Sequence, residues 1–226
     1  SEGVFVSQWG TEGTGDGQFS YPLGIAVASD GSVYVTDQSN HRIQKFTSEG
    51  VFVSKWGRNG KGKRQFAGSP NGVTVASDGS VFVADTNNSR IQKFTPEGQH
   101  VANFGSSGTG KGQLTRPADV TVDAEGDVYI SDWANHRVQV FGPDGRFITT
   151  FIGDAQEYSK WARMSANPEK MKRYREAKNP ETAWRLNFPT AVGFDQKRER
   201  LLIADSQRGR LQIYDKLKNY SRPLLT

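Results

Sequence analysis

The chain has 226 residues, 35% of them hydrophobic and 23% charged, with 25 glycines, 13 phenylalanines and no cysteine. Length allows one or two domains, the glycine and aromatic content points to short strands and turns, and the absence of thiols excludes disulfides, thiolate metal sites and cysteine nucleophiles. The net charge of +5 is local: residues 1–153 carry 13 Lys+Arg against 15 Asp+Glu, residues 154–187 carry 8 against 5, and residues 188–226 carry 8 against 4. Such asymmetry attracts an anionic partner. No apolar run approaches the length of a membrane span and no signal-peptide pattern is written, which leaves the compartment open. The chain opens at Ser1 inside a strand-like run, so a preceding segment that was removed or left out is expected.

In chain order, the first element is VFVSQWG from Val4, an outer-strand pattern. A Gly-rich loop and Pro22 follow, then the strand pair GIAVASDGSVYVTD ending at Asp37, then HRIQKF with Arg42. The second round runs VFVSKWG from Val51, Pro70, GVTVASDGSVFVAD to Asp85 and SRIQKF with Arg90. The third is HVANFG to Gly105, Pro117, DVTVDAEGDVYISD to Asp132 and HRVQVF with Arg137. The fourth is FITTFIG to Gly153, Pro189, AVGFDQKRERLLIAD to Asp205 and GRLQIY with Arg210. Each round holds four short β-rich runs punctuated by turn signals such as Asp30-Gly31 and Asp78-Gly79. Four strands per repeat read as one blade of a propeller, which makes the chain all-β with about four blades over residues 1–226. One loop, GSSGTGKGQLTR from Gly105 to Arg116, nearly spells the phosphate-binding G-x-x-x-x-G-K-[ST]. The position of Lys111 is Asp16 in the first copy and Lys63 in the second, and a strand follows instead of a helix. A lysine that grips phosphate does not exchange for a carboxylate, so the loop is a connection between blades.

The recurring G-x-x-G-x-G-x-G-Q-F-x-x-P, D-G-x-V-Y-V-x-D and N-H-R-I-Q-K-F resemble the NHL repeat, over residues 1–153 and 188–215. Asn40-His41-Arg42 and Asn135-His136-Arg137 carry the motif, which becomes Asn88-Ser89-Arg90 and Arg208-Gly209-Arg210 in the other copies. The resemblance implies a β-propeller used for binding, in a family that ranges from RNA-binding and ubiquitin-ligase-associated domains to sensor ectodomains and an amidating lyase. It also implies six blades as the usual number. The opening strand Val4–Trp9 either completes the last blade of a ring of four or belongs to a larger ring, and Tyr220–Thr226 as a final outer strand favours the larger one.

The aspartate and arginine of each D-x-x-x-x-R bracket one strand-to-strand turn, so Asp37 with Arg42, Asp85 with Arg90, Asp132 with Arg137 and Asp205 with Arg210 are expected to be structural ion pairs. Only two of the three histidines, His41 and His136, occupy equivalent turns, with His100 elsewhere, which is too few for a zinc enzyme. No serine has a matched base, and no metal or other cofactor is expected.

The departure from the repeat carries the functional reading. Between the strand-ending glycine and the next proline lie 11, 12, 11 and then 35 residues. Residues 154–187 are read as an insertion of two or three short helices between blades, with Asn-Pro starts at Pro168 and Pro180. Lys170, Lys172, Arg173, Arg175 and Lys178 cluster there beside Tyr158, Trp161, Tyr174 and Trp184. Aromatic and basic side chains together suit single-stranded nucleic acid or an acidic protein. The same face is expected to carry Arg58, Lys61, Lys63, Arg64, Lys111 and Arg116. The reading is a non-enzymatic scaffold propeller that binds a protein or polyanion on one loop face. A propeller enzyme of the lactonase or lyase kind and a sensor module of a larger protein are the alternatives.

Overall fold

The computed structural model describes residues 3–153 and 185–216. Two two-residue strands, β1 (Thr11–Glu12) and β2 (Gln18–Phe19), pair in parallel across the first Gly-rich loop. Blade 1 follows as β3 (Pro22–Val27), β4 (Val33–Asp37), β5 (Arg42–Phe46) and β6 (Phe52–Trp56), paired antiparallel in that order. Blade 2 is β7 (Pro70–Val75), β8 (Val81–Asp85), β9 (Arg90–Phe94) and β10 (His100–Phe104). The next loop carries its own parallel pair, β11 (Ser106–Ser107) and β12 (Gln113–Leu114). Blade 3 is β13 (Pro117–Val122), β14 (Val128–Asp132), β15 (Arg137–Phe141) and β16 (Phe147–Phe151). Blade 4 contributes β17 (Pro189–Asp195), β18 (Arg200–Asp205) and β19 (Arg210–Asp215), three strands among the described residues.

Each innermost strand starts on its proline, the one strand position at which the missing N–H removes nothing from the ladder. The hairpin between the first two strands closes on Asp-Gly: Ser32 N–H donates to Asp30 Oδ1 at 2.9 Å while Gly31 takes φ +82°. Between the second and third strands a short turn ends on a left-handed residue, His41, Ser89, His136 or Gly209.

The blades pack front to rear. Tyr34, Ile43 and Trp56 on the rear of blade 1 meet Val73, Val81, Val83 and Phe94 on the front of blade 2. Phe82, Ile91 and Phe104 of blade 2 meet Val120, Val128, Ile130 and Phe141 of blade 3, and Tyr129 and Val138 of blade 3 meet Val192, Leu201 and Ile203 of blade 4. The second strand of blades 1 to 3 is buried along its whole length, apolar at its first three positions and closed by its aspartate.

The arc is open. β3 packs on β7, β7 on β13 and β13 on β17, whereas β17 and β3 are not packed neighbours. Of the two arrangements the sequence left open, the described blades therefore form an open arc, not a ring of four. The opening segment Val4–Trp9 also forms no strand among the described residues, because no inner strands stand beside it. Its Trp9 still docks, with the ring centroid 4.5 Å from that of Phe46. The helices expected within residues 154–187, and with them Trp161, Lys170, Lys172, Arg173, Tyr174, Arg175 and Lys178, lie outside the described residues, as does Tyr220–Thr226.

Candidate binding face and central cavity

The loops that enter each blade and the turns between its second and third strands lie on one face, and a repeated polar network holds them there. In blade 1, Asp37 Oδ2 accepts from Arg42 Nε at 2.7 Å, Asn40 Nδ2 at 2.9 Å and Gln44 Nε2 at 3.1 Å. The guanidinium then reaches the Gly-rich loop, with Arg42 Nη1 donating to Thr14 O at 2.7 Å and Nη2 to Gly15 O at 2.8 Å. Blades 2, 3 and 4 repeat the ion pair at 2.7 Å with Asp85–Arg90, Asp132–Arg137 and Asp205–Arg210. All four carboxylates are fully buried. Such charge-assisted bonds fix loop geometry, since one arginine spans two strands and a loop.

The four sites differ in their other donors. Backbone N–H groups of Ser20, Thr115 and Asn187 each donate at 2.7 Å to Asp37, Asp132 and Asp205. Asp85, beneath the loop that is one residue longer, takes its bonds from the side chains of Asn88, Arg90 and Gln92. Burial pushes its carboxyl above the ordinary aspartate value, and those three donors offset the shift only in part.

On this face Lys61, Lys63 and Lys111 are exposed and Arg64 is half-buried. Arg64 has φ +56°, in the register position that Gly17 and Gly112 occupy at +74° and +72°. The left-handed backbone is needed because the N–H at this point donates to the blade's glutamine: Gly17 to Gln44 Oε1 at 3.0 Å, Arg64 to Gln92 Oε1 at 3.1 Å, Gly112 to Gln139 Oε1 at 2.9 Å. Glycine adopts it without steric cost, and a side chain does not. The ends of the 154–187 segment leave and re-enter here, where Leu186 N–H donates to Ile152 O at 2.7 Å.

Behind the face, the innermost strands β3, β7, β13 and β17 line a cavity of about 650 Å³. Its charged lining residues are Arg116 and Asp119. Asp119 stands where the other blades have Gly24, Gly72 and Ala191, and its Oδ2 accepts Val192 N–H of the next blade at 3.0 Å. Withdrawal from water raises its carboxyl to about 6 from 3.8. At the mouth, the Arg116 guanidinium lies 5.4 Å from the Trp133 ring centre, and Phe188 packs against both Trp133 at 4.7 Å and His136 at 4.1 Å. Arg116 and Phe188 both hold φ +53° before a proline. His136 Nδ1 accepts the Phe188 N–H at 3.2 Å. Asp119 and Trp133 escape a reading built on what repeats, and their signal is the opposite one, a break in an otherwise regular register.

Sheets of short antiparallel strands stacked around a lined cavity define a β-propeller. The description of the family model that matches, at residues 19–46, 68–94 and 114–141, is NHL repeat. The chain thus carries three matched NHL repeats within a β-propeller fold. Among solved structures it is similar to a streptogramin B lyase, at 15% identity and TM-score 0.51, with 90% of this chain and 57% of that one covered. It is similar also to a chain of a nidogen/laminin complex, at 20% identity and TM-score 0.53 with 87% and 65% covered. A Bacteroides thetaiotaomicron protein of unknown function matches at 18% identity and TM-score 0.57, with 86% and 47% covered. The chain thus spans less than two thirds of the length of each, and the likeness is one of fold.

Proposed function

We propose that this propeller is a non-enzymatic binding module whose loop face takes an acidic protein surface. The observation that carries the reading is Arg64. A left-handed non-glycine residue costs on the order of 1–2 kcal/mol, and two sister loops avoid that cost with glycine. Strain kept at an exposed loop is a mark of function, because stability alone favours its removal. Lys61 and Lys63 precede Arg64 in the same loop, and none of Lys61, Lys63 and Lys111 has an ion-pair partner among the described residues. In sequence, the basic residues Lys170, Lys172, Arg173, Arg175 and Lys178 come between two points of this face, and the same stretch contains the aromatic residues Trp161 and Tyr174.

The test is binding of the purified chain to immobilised polyglutamate and to an oligouridine at 50 and 200 mM salt. A polyglutamate affinity that falls with salt and with Lys61→Glu/Lys63→Glu supports the acidic-protein reading. Tighter binding of the oligouridine moves the assignment to single-stranded nucleic acid. Binding to neither at low salt overturns it.

A further inference from the structure

Blade 3 differs in kind from its sisters at three positions of the repeat, and all three line the central cavity. Before the inner-strand proline it has Arg116, where the other blades have Tyr21, Ser69 and Phe188. Two residues past that proline it has Asp119 in place of glycine or alanine, and after the buried aspartate it has Trp133 in place of Gln38, Thr86 and Ser206. Arg116 and Asp119 are the only charged residues at these positions in the four blades. A repeat keeps its scaffold by recurrence, as the four Asp–Arg pairs do. Departures that gather on one concave wall are what a ligand site requires, a few polar groups converging on a cavity.

Arg116 is positioned but unused. It is exposed, and its guanidinium makes no hydrogen bond or ion pair among the described residues, whereas Arg42, Arg90, Arg137 and Arg210 are each bound to an aspartate. It lies over the Trp133 ring, 5.4 Å from the centre. Contact through the face of a guanidinium leaves its N–H edge free, and that planar fork matches a carboxylate with two parallel hydrogen bonds. The backbone beside it is anchored, since Thr86 Oγ1 donates to Pro117 O at 2.7 Å. Asn71 of blade 2, also in the lining, offers a second free donor: its Oδ1 accepts Gln38 Nε2 at 3.0 Å, and its Nδ2 has no acceptor among the described residues.

Asp119 sets a limit on charge. Its carboxylate shares the lining with Arg116, so one negative charge on a ligand is balanced and a second is repelled. Half-buried Trp133 and Ala118 add apolar surface to the same lining. The cavity of about 650 Å³ has the size of a small-molecule site, which is about 300–1,000 Å³. We propose that the mouth of the cavity at blade 3 binds a small aromatic monocarboxylic acid, with the carboxylate on Arg116 and the ring beside Trp133. Arg116, Asp119 and Trp133 belong to the junctions among blades 2, 3 and 4, so the site stands whatever precedes blade 1 or follows blade 4. It is separate from the acidic-protein face, because it takes one small anion and uses neither Lys61 nor Lys63.

The experiment is an NMR titration of the full chain with benzoate, phenylacetate and naphthoate, and with phenylacetamide and phenyl phosphate beside them. At least one of the acids is expected to bind at about millimolar strength or tighter and to shift the Arg116 Nε–H resonance, which is identified by its loss in Arg116→Gln. Phenylacetamide, which keeps the ring and lacks the charge, is expected to bind at least about tenfold more weakly than phenylacetate. Arg116→Gln is expected to bring the acid down to the affinity of the amide, and Arg116→Lys, which keeps the charge without the fork, to fall between. Circular dichroism checks that the variants stay folded, and the comparison of acid with amide on the parent chain still decides if they do not. Failure of all three acids to bind at about 10 mM, well above the millimolar affinity expected, overturns the proposal. An amide that binds as tightly as its acid, or undiminished binding by Arg116→Gln, overturns it equally. Tighter binding of phenyl phosphate than of any acid overturns the carboxylate assignment and gives the site to phosphate esters.

Discussion

Asp119 Oδ1 occupies the space that a Cβ on Gly72 would need, 1.9 Å from where that atom would lie. The carboxylate of blade 3 and the bare backbone of blade 2 thus fit each other across the junction. Gly72→Ala forces one of them aside, and overpacking of this kind costs about 1–3 kcal/mol. The loss is expected to shrink in part when Asp119→Ala is added, because the carboxylate is gone while the Asp119 Cα, 2.7 Å from the added Cβ, stays in place. A double-mutant cycle by urea unfolding measures it, and simple additivity of the two changes would count against the fit.

The same carboxylate sets a pH dependence. Its value is raised from 3.8 to about 6, so the folded chain holds the proton more tightly than the unfolded chain. The stability it contributes is complete below about pH 4 and is lost as pH rises through 6, on the order of 2–3 kcal/mol by linkage. Asp119→Asn keeps an acceptor for Val192 N–H and cannot ionise. It is expected to be more stable than the parent at pH 7 and to lose that advantage by pH 4, read as the difference in urea midpoints. Arg116 is the other charged group of the cavity lining, so the experiment includes Arg116→Gln as a control.

The four Asp–Arg pairs look alike in sequence and differ in support. Asp132 accepts from Arg137, Gln139, Asn135 and the Thr115 N–H. Asp132→Asn leaves a guanidinium short of its counter-charge, and breaking a buried pair costs about 3–5 kcal/mol. Asp85 is expected to tolerate Asn better, since burial already raises its carboxyl and no backbone donor is lost. Differential scanning calorimetry ranks the two variants. Equal losses would show that the missing backbone donor has no energetic weight.

The propeller was legible in the chain because its physics repeats. Prolines that open inner strands, Asp-Gly turns and the Asp-x-x-x-x-Arg bracket recur in register, and each recurrence is a local choice that agrees with the global fold. What was not legible depends on neighbours. Nothing in the spelling of exposed Leu211 distinguishes it from buried Ile43, since among the described residues no blade follows the one and a blade follows the other. Val4–Trp9 spells a strand as well as Val51–Trp56 does, but a strand needs a partner to pair with. Asp119 reads as one more polar residue until the register shows glycine or alanine in the other three blades, and the value of its carboxyl follows only from the walls around it. The 154–187 insertion announces itself by length, the one property that needs no neighbour.

Arg64 offers a test of stored strain. Arg64→Gly places at this position the residue found at Gly17 and Gly112, and is expected to raise stability by about 1 kcal/mol. Gly17→Ala is the reverse experiment, with nothing within 4 Å of the added Cβ, so its cost is that of the backbone alone. A urea midpoint that rises for Arg64→Gly and falls for Gly17→Ala establishes the strain. If Arg64→Gly leaves the midpoint unchanged, the guanidinium makes contacts that repay its backbone, and the functional reading of the strain loses its basis.

The last prediction separates the two kinds of anionic partner. Neutralising several charges on a polyanion releases counterions, and charge pairing at a protein surface is screened within about 8 Å at physiological ionic strength, so both lose affinity in salt. Aromatic stacking divides them. Lys172→Glu/Arg173→Glu/Arg175→Glu is expected to weaken either partner, because it inverts the charge of the densest basic run in the chain. Trp161→Ala and Tyr174→Ala are expected to leave an acidic protein nearly unaffected, whereas single-stranded nucleic acid loses about 1–3 kcal/mol for each base that no longer stacks. Titrations of polyglutamate and oligouridine against the three variants at one salt concentration read both effects together. An acidic-protein face requires a large loss from the charge reversal and a small one from the aromatic changes, and the opposite pattern assigns the face to nucleic acid.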